Sequence, residues 1–377
     1  MRLTRLFTEF FESEKASGIL LLVCTIISLI IANSALQIEY LSIWNYEFNH
    51  HSVSHWINDG LMAIFFLLIG LELEREIYDG ELSDLKTAAL PAIAALGGMI
   101  VPAGIYIILN NNLPSSSGAG IPMATDIAFA IGILSLVGKN VPVSLKVFLT
   151  ALAVIDDLGA IIVIAVFYSS TILLSNLFIA LGIFAVLLIL NRMKVHNLIP
   201  YLIGGVFMWY FMLNSGVHAT ITGVLLAFAI PFGDGKKSSP SYILQHFLHK
   251  PVAFLILPLF ALANTALTLD ANWYVDLDSR ASLGIIAGLT LGKPLGILAF
   301  CIIAVKLGFC QLPENTQWKH IMGAGLLGGI GFTMSIFITL LAFDSIEFIN
   351  SSKIAILIAS LLSAITGFIW LKSASRT

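Results

Sequence analysis

Two adjacent carboxylates, Asp156 and Asp157, stand near the middle of an apolar helix-length run, ALAVIDDLGAIIVIAV, residues 151–166. An ionised Asp at the centre of a membrane helix costs about 2.5–3.5 kcal/mol on insertion scales. Two side by side also repel each other. A pair kept at that cost points to a cation or proton site rather than to local capping. Two more ionisable residues lie inside apolar runs. Asp126 follows Thr125 in GAGIPMATDIAFAIGILSLVG, residues 118–138. Lys293 lies between Gly292 and Pro294 in GLTLGKPLGIL. This is no phosphate-binding loop, because the upstream glycine spacing and the Ser/Thr are absent. A mid-span lysine cannot easily snorkel to the interface, so it needs a carboxylate or helix C-terminal carbonyls as partner.

The elements that must position these residues are membrane helices. The chain of 377 residues is 58% hydrophobic and 11% charged, with mean hydropathy +0.96, whereas a soluble domain carries about 25% charged residues. A span needs about 20 apolar residues. Runs fall near 17–33, 59–71, 88–109, 121–138, 143–168, 172–190, 200–213, 216–230, 251–268, 282–305, 320–342 and 353–371. With both termini in the cytoplasm, every Lys and Arg falls on the inside except Arg280, Lys353 and the mid-span Lys293, a strong positive-inside pattern. The net charge of -3 is divided among loops and implies no nucleic-acid partner. Cys24, Cys301 and Cys310 show no metal spacing and no disulfide pattern.

Two spans read as broken. Gly118, Gly120 and Pro122 precede Thr125 and Asp126, so that the carboxylate falls where helix N-terminal N–H groups favour it. Gly323, Gly325, Gly328, Gly329 and Gly331 interrupt GAGLLGGIGFTMSIFITL in the eleventh span. Interrupted spans at matching places in two halves point to a transporter site. The fold expected is an all-α polytopic membrane protein of twelve transmembrane helices in one transporter domain, 1–377. Its inverted repeats would be near 88–168 and 282–371, with two discontinuous helices crossing at mid-membrane. At that crossing Asp126 would offset two positive helix ends and Lys293 two negative ones. Around Asp156, the residues at helical spacing are Ala153, Gly159 and Ala160, a small face that admits a neighbouring helix.

Outside the centre the reading stays open. In the first outside loop, 34–58, Trp44, Tyr46 and Phe48 alternate with polar residues at the period of a strand. That segment is either an interfacial aromatic belt or a hairpin for subunit contact. His50, His51 and His55 follow without a fixed ligand geometry. Glu72, Arg75 and Glu76 share one helix face, either as a solvated helix end or as a charged funnel. His246 and His249 are spaced i, i+3 at the mouth of the ninth span, on a plain interfacial helix or as proton sensors. His218 reads as an interhelical donor.

The chain resembles the NhaA family of bacterial sodium/proton antiporters. The motifs that carry the resemblance are WINDGLMAIFFLLIGLELERE, ATDIAFAIG, ALAVIDDLGAIIVIA, SGVHAT, LILPLFALANT, IIAGLTLGKPLGI and GGIGFTMSIFI, spread over nearly the whole length. The resemblance implies that Asp156 and Asp157 are the essential transport carboxylates and hold Na+. It implies that Asp126 and Thr125 occupy the unwound part of the fourth helix, and that Lys293 pairs with the first carboxylate. It assigns Glu72, Arg75, Glu76 and His249 to pH activation and His218 to the pH profile. It also implies an inner-membrane homodimer, embedded in lipid, that exports Na+ or Li+ for protons in the service of sodium and pH homeostasis. Neither enzymatic activity nor a cofactor is expected. Gln245 departs from the resemblance, standing where family members carry a glutamate of the pH response, and the first outside loop is short for a dimerising hairpin.

Na+ wants several oxygen ligands, and protons compete for the same carboxylates. One site can then serve two substrates in turn. Because adjacent helical residues point about 100° apart, the pair need not act equally: Asp157 is expected as the main Na+ ligand, with Asp156 alternating between a proton and Lys293. The rival reading is Na+-coupled symport of an organic solute. An intramembrane aspartyl protease is disfavoured, since its two acids stand on facing helices and no G-x-G-D occurs.

Overall fold

In a bilayer every backbone N–H and C=O must be satisfied within the chain, and helices do this segment by segment. The computed structural model describes residues 5–83, 85–138, 141–168, 172–269 and 273–374, and the twelve apolar runs appear in it as helices. Arg2, Lys139 and Arg376, part of the inside-charge reading, lie outside the described residues.

In chain order the helices are α1 (Arg5–Ala32), α2 (Gln37–Asn45), α3 (Val53–Tyr78) and α4 (Leu85–Asn110). Then come a 3-10 segment, α5 (Pro114–Met123), and α6 (Ile127–Val137), α7 (Val143–Phe167), α8 (Leu174–Arg192), α9 (Ile199–Leu213) and α10 (Ile221–Ala229). The last are α11 (Pro240–Asn264), α12 (Arg280–Lys306), α13 (Trp318–Gly328), α14 (Phe332–Ala342) and α15 (Ile346–Ala374). Eight of these are long and apolar enough to cross a membrane, and α9 and α10 are shorter. Two pairs are bent at a short break, α5–α6 by 43° and α13–α14 by 47°. Large apolar side chains point outward, Phe178 at 66% exposure and Phe167 at 74% among them, as suits a lipid-facing surface.

Two expectations change. The period-two pattern of Trp44, Tyr46 and Phe48 is not one strand. Trp44 belongs to α2, where it packs edge-on against Tyr40. Only Glu47–Phe48 pairs, antiparallel, with His51–Ser52. Asn49 and His50 form the turn with positive φ, as a two-residue hairpin requires. Lys353, counted with the outside charges, is instead buried inside α15, its Nζ 3.5 Å from Asn264 Oδ1. The helix begins seven residues before it because Ile346, Phe348 and Ile349 extend the apolar run.

The helices group into two units. The first holds residues 1–37, 84–160 and 264–377; the second holds 38–83 and 161–263. Within the first unit, α4 and α12 meet backbone to backbone. A Cβ added at Gly97 would strike the Gly296 carbonyl, and one added at Gly296 would strike the Gly97 carbonyl. Within the second, Gly70 of α3 faces Val224 and Ala227 of α10, and Gly223 of α10 faces Ala63 and Leu67 of α3. Small residues let helices approach closely where there is no aqueous driving force between them.

Candidate functional site

The site is built where the two breaks meet, inside the first unit. Ala124 is extended (φ -79°, ψ 151°) and ends α5. Asp126 is the N-cap of α6, its Oδ1 accepting from the Phe129 amide at 3.0 Å. On the other side Gly329, Ile330 and Gly331 separate α13 from α14. Backbone and side chain then join the breaks. The Asp126 amide donates to Ile330 O at 2.6 Å. Thr333 donates to Asp126 Oδ2 twice, from its amide at 3.1 Å and its hydroxyl at 2.5 Å. Ser335 Oγ donates to Ile121 O at 2.7 Å, and Ser360 of α15 accepts from the Phe332 amide at 3.1 Å. Asp126 therefore caps two helix N-termini at once, where the macrodipole favours a negative charge.

The other carboxylates arrive on α7. Asp156 is 0% exposed and Asp157 1%. Lys293, also 0% exposed, places Nζ 2.8 Å from Asp156 Oδ2 and donates to the Met123 carbonyl at the end of α5. The lysine thus finds both partners its depth demands, a carboxylate and a helix-end carbonyl. A π-helical stretch, Gly288–Gly292, immediately precedes it; such irregularities favour functional positions. Thr125 Oγ1 lies 2.8 Å from Asp156 Oδ2 and 2.9 Å from Gly328 O. A hydroxyl carries one proton, so it can donate to only one of them at a time. Asp156 is left lopsided: Oδ2 takes Lys293 and Thr125, whereas the buried Oδ1 has no hydrogen-bond partner among the described residues. The small face expected beside the pair is occupied, since the Met99 sulfur of α4 packs on Gly159.

The residues assigned to pH response lie in the second unit and fall into two places. Arg75 stacks over the Tyr242 ring of α11 at 4.6 Å, with Glu72 and Glu76 near enough to act on its charge. His249 stands on the same α11, which packs against α3. His218 is elsewhere, its Nε2 2.7 Å from Tyr168 O and its charge acting on Asp59. Asp59 precedes Glu72 by thirteen residues of α3, about 20 Å of helix.

Reasoning from the sequence missed Thr333, whose link to Asp126 joins residues far apart in the chain. It also missed Glu74, 4% exposed, whose Oε2 has no hydrogen-bond partner among the described residues. The signal for Glu74 was present: Leu67, Gly70 and Leu71 precede it at seven, four and three residues, which places it on the buried face.

Interrupted helices that cap each other around a buried lysine–carboxylate pair, in a chain of apolar spans, define a secondary transporter of the multi-pass membrane class. The family described as Na+/H+ antiporter 1 matches residues 8–371, and the chain belongs to it. The Na(+)/H(+) antiporter NhaA 1 of Flavobacterium johnsoniae is 66% identical over 372 residues, which are 99% of this chain and 98% of that protein. The Na(+)/H(+) antiporter NhaA of Flavobacterium psychrophilum is 65% identical, over 99% of this chain and 97% of its own. Among solved structures, the sodium proton antiporter MjNhaP1 from Methanocaldococcus jannaschii matches with a TM-score of 0.53 at 17% identity, over 96% of this chain and 92% of that one; this likeness concerns the fold alone. The chain is a transporter, not an enzyme, and the symport reading finds no support.

Proposed function

We propose that the chain exchanges Na+ for H+ by making the two ions compete for Asp156 and Asp157. The observation that carries the reading is the lopsided Asp156. One oxygen is held by Lys293 and Thr125, and the other accepts no hydrogen bond among the described residues. Asp157 serves as the main Na+ ligand. Asp156 contributes its unused oxygen to the cation, and returns to Lys293 or to a proton when the cation leaves. Thr125 follows Asp156, donating to the carboxylate in one state and to Gly328 O in the other. Asp126, with its four hydrogen bonds to the two breaks, holds the crossing together rather than binding the ion.

Two protons entering for each Na+ leaving would move one net charge inward. At ~2.3 kcal/mol per 100 mV per charge, and ~1.4 kcal/mol per tenfold ratio, that supports roughly a forty-fold Na+ gradient. Li+, a hard cation of like charge, would take the same oxygens. These ions are cargo, and no cofactor is invoked. Access alternates between the two sides around a fixed site, with 88–168 and 282–371 as inverted repeats. Glu72, Arg75, Glu76 and His249 set the pH response at the cytoplasmic end of α3, and His218 modulates it. The protein works in the bacterial inner membrane with both termini inside, in lipid, as a homodimer contacting through 34–58.

The test is ΔpH-driven dequenching in proteoliposomes with Na+, Li+ and K+ across about pH 6 to 9. Because cation binding must displace protons, the apparent KM for Na+ should rise as pH falls, by about tenfold per pH unit for each proton displaced. A KM that does not move with pH sinks the competition.

A further inference from the structure

The hairpin carries a cluster that the transport site does not use, and all of it lies in the second unit. His51, on the second strand, stacks face to face on His55 at the start of α3, with ring centroids 4.2 Å apart and planes 11° from parallel. His55 Nε2 stands 3.2 Å from Asp59 Oδ2, one turn further along. Other contacts hold the same junction. Trp56 Nε1 donates to Phe48 O at 3.0 Å, and the Val53 amide donates to Tyr46 O at 3.0 Å. Ser52 Oγ caps the His55 amide at 3.1 Å. The edge of Trp56 meets the His51 ring. Trp209 of α9 donates to Asp59 O at 3.2 Å, fixing the carboxylate's own backbone.

We propose that His51, His55 and Asp59 form an acid-released clasp, which fastens the hairpin Glu47–Ser52 to the first turn of α3 and lets go when the surrounding solution acidifies. The argument is a count of charges in a fixed geometry. Imidazole is the side chain whose charge changes between about pH 5 and 8. A proton on His55 alone would lie beside the Asp59 carboxylate and strengthen the clasp. Protons on both rings set two stacked cations against one carboxylate. Like charges in contact repel, and moving His51 away with its strand relieves that repulsion. The hairpin and the elements next to it carry other ionisable groups: Glu47 and His50 on the hairpin, Glu39 and Tyr40 on α2, Tyr210 on α9, and His218 before α10. Of these, His218 is the one whose charge acts on Asp59. It therefore adds a third positive charge against the same carboxylate and favours release.

The experiment uses the full chain in proteoliposomes. A spin label is attached at Asn49→Cys, on the hairpin turn, with Cys24, Cys301 and Cys310 replaced by Ala. In this parent the mobile fraction of the label should rise at least about two-fold as the pH falls through the imidazole range. His51→Gln removes the second charge, and His51→Phe removes it while keeping a stacking ring; with either one the rise should be lost. Both variants should keep neutral-pH Na+/H+ exchange, which shows that they are folded. A parent label whose mobility does not respond to pH overturns the clasp. So does a rise that persists undiminished in His51→Phe.

Discussion

Asp126 and Asp156 are both buried carboxylates that take a hydrogen bond from a threonine hydroxyl, yet the surroundings of one break and of the middle of α7 treat them in opposite ways. Asp126 is satisfied on both oxygens by the Phe129 and Thr333 amides and the Thr333 hydroxyl. Among the described residues Asp156 is satisfied on one oxygen only. A carboxylate that caps two helix ends is fixed at low energy and gains little from a cation. One that is half coordinated has an oxygen left to offer a cation. Burial alone marks neither role; the state of the second oxygen separates them.

The comparison is sharpest when each acid is neutralised in place. Asp157→Asn should abolish Na+-driven proton movement in proteoliposomes, and normal exchange in that variant would end the carboxylate account. Lys293→Met leaves Asp156 without its cation. Breaking a buried pair by removing one partner costs about 3–5 kcal/mol, so thermal unfolding in detergent should drop steeply. The double variant Asp156→Asn/Lys293→Met should regain most of that loss while remaining inactive. Asp126→Asn turns a donor toward either the Phe129 or the Thr333 amide and should cost about 1–3 kcal/mol of stability. Its apparent Na+ affinity should stay near that of the parent; a tenfold change would erase the distinction between the two acids. Thr125→Val removes one hydroxyl from Asp156, worth about 0.5–1.5 kcal/mol, and should shift apparent Na+ affinity by less than about tenfold.

Much of the architecture was legible because lipid is an unforgiving solvent. Spans must be apolar and helical, and glycine or proline clusters are then the natural places for a break. The bends at Ala124–Asp126 and Gly329–Gly331 follow from that. The partners of Lys293 could be named by kind because a mid-span ammonium has few options. What escaped were properties set by tertiary contact. Thr333 reads as an ordinary helix residue until Asp126 is brought to its amide. Glu74 went unnoticed because attention went to charges that pair along one face, not to the face that is buried. Lys353 was misplaced because a charge was taken as the edge of a span. The strand reading of Trp44 failed because three aromatics at alternate positions also suit the end of a helix running into a hairpin.

The contact of Gly97 with Gly296 has a mechanical consequence. With no side chain on either helix at the point of touch, α4 and α12 act there as a splint, too tightly joined to slide without a steric collision. Lys293 stands one turn before that joint and directly after the π-helical Gly288–Gly292. Its stem is therefore held on one side by that joint and on the other by a π-helical turn whose glycines pack on Pro102 and Pro122. The ammonium is thus carried by a helix that has no room to slide along α4 at Gly296.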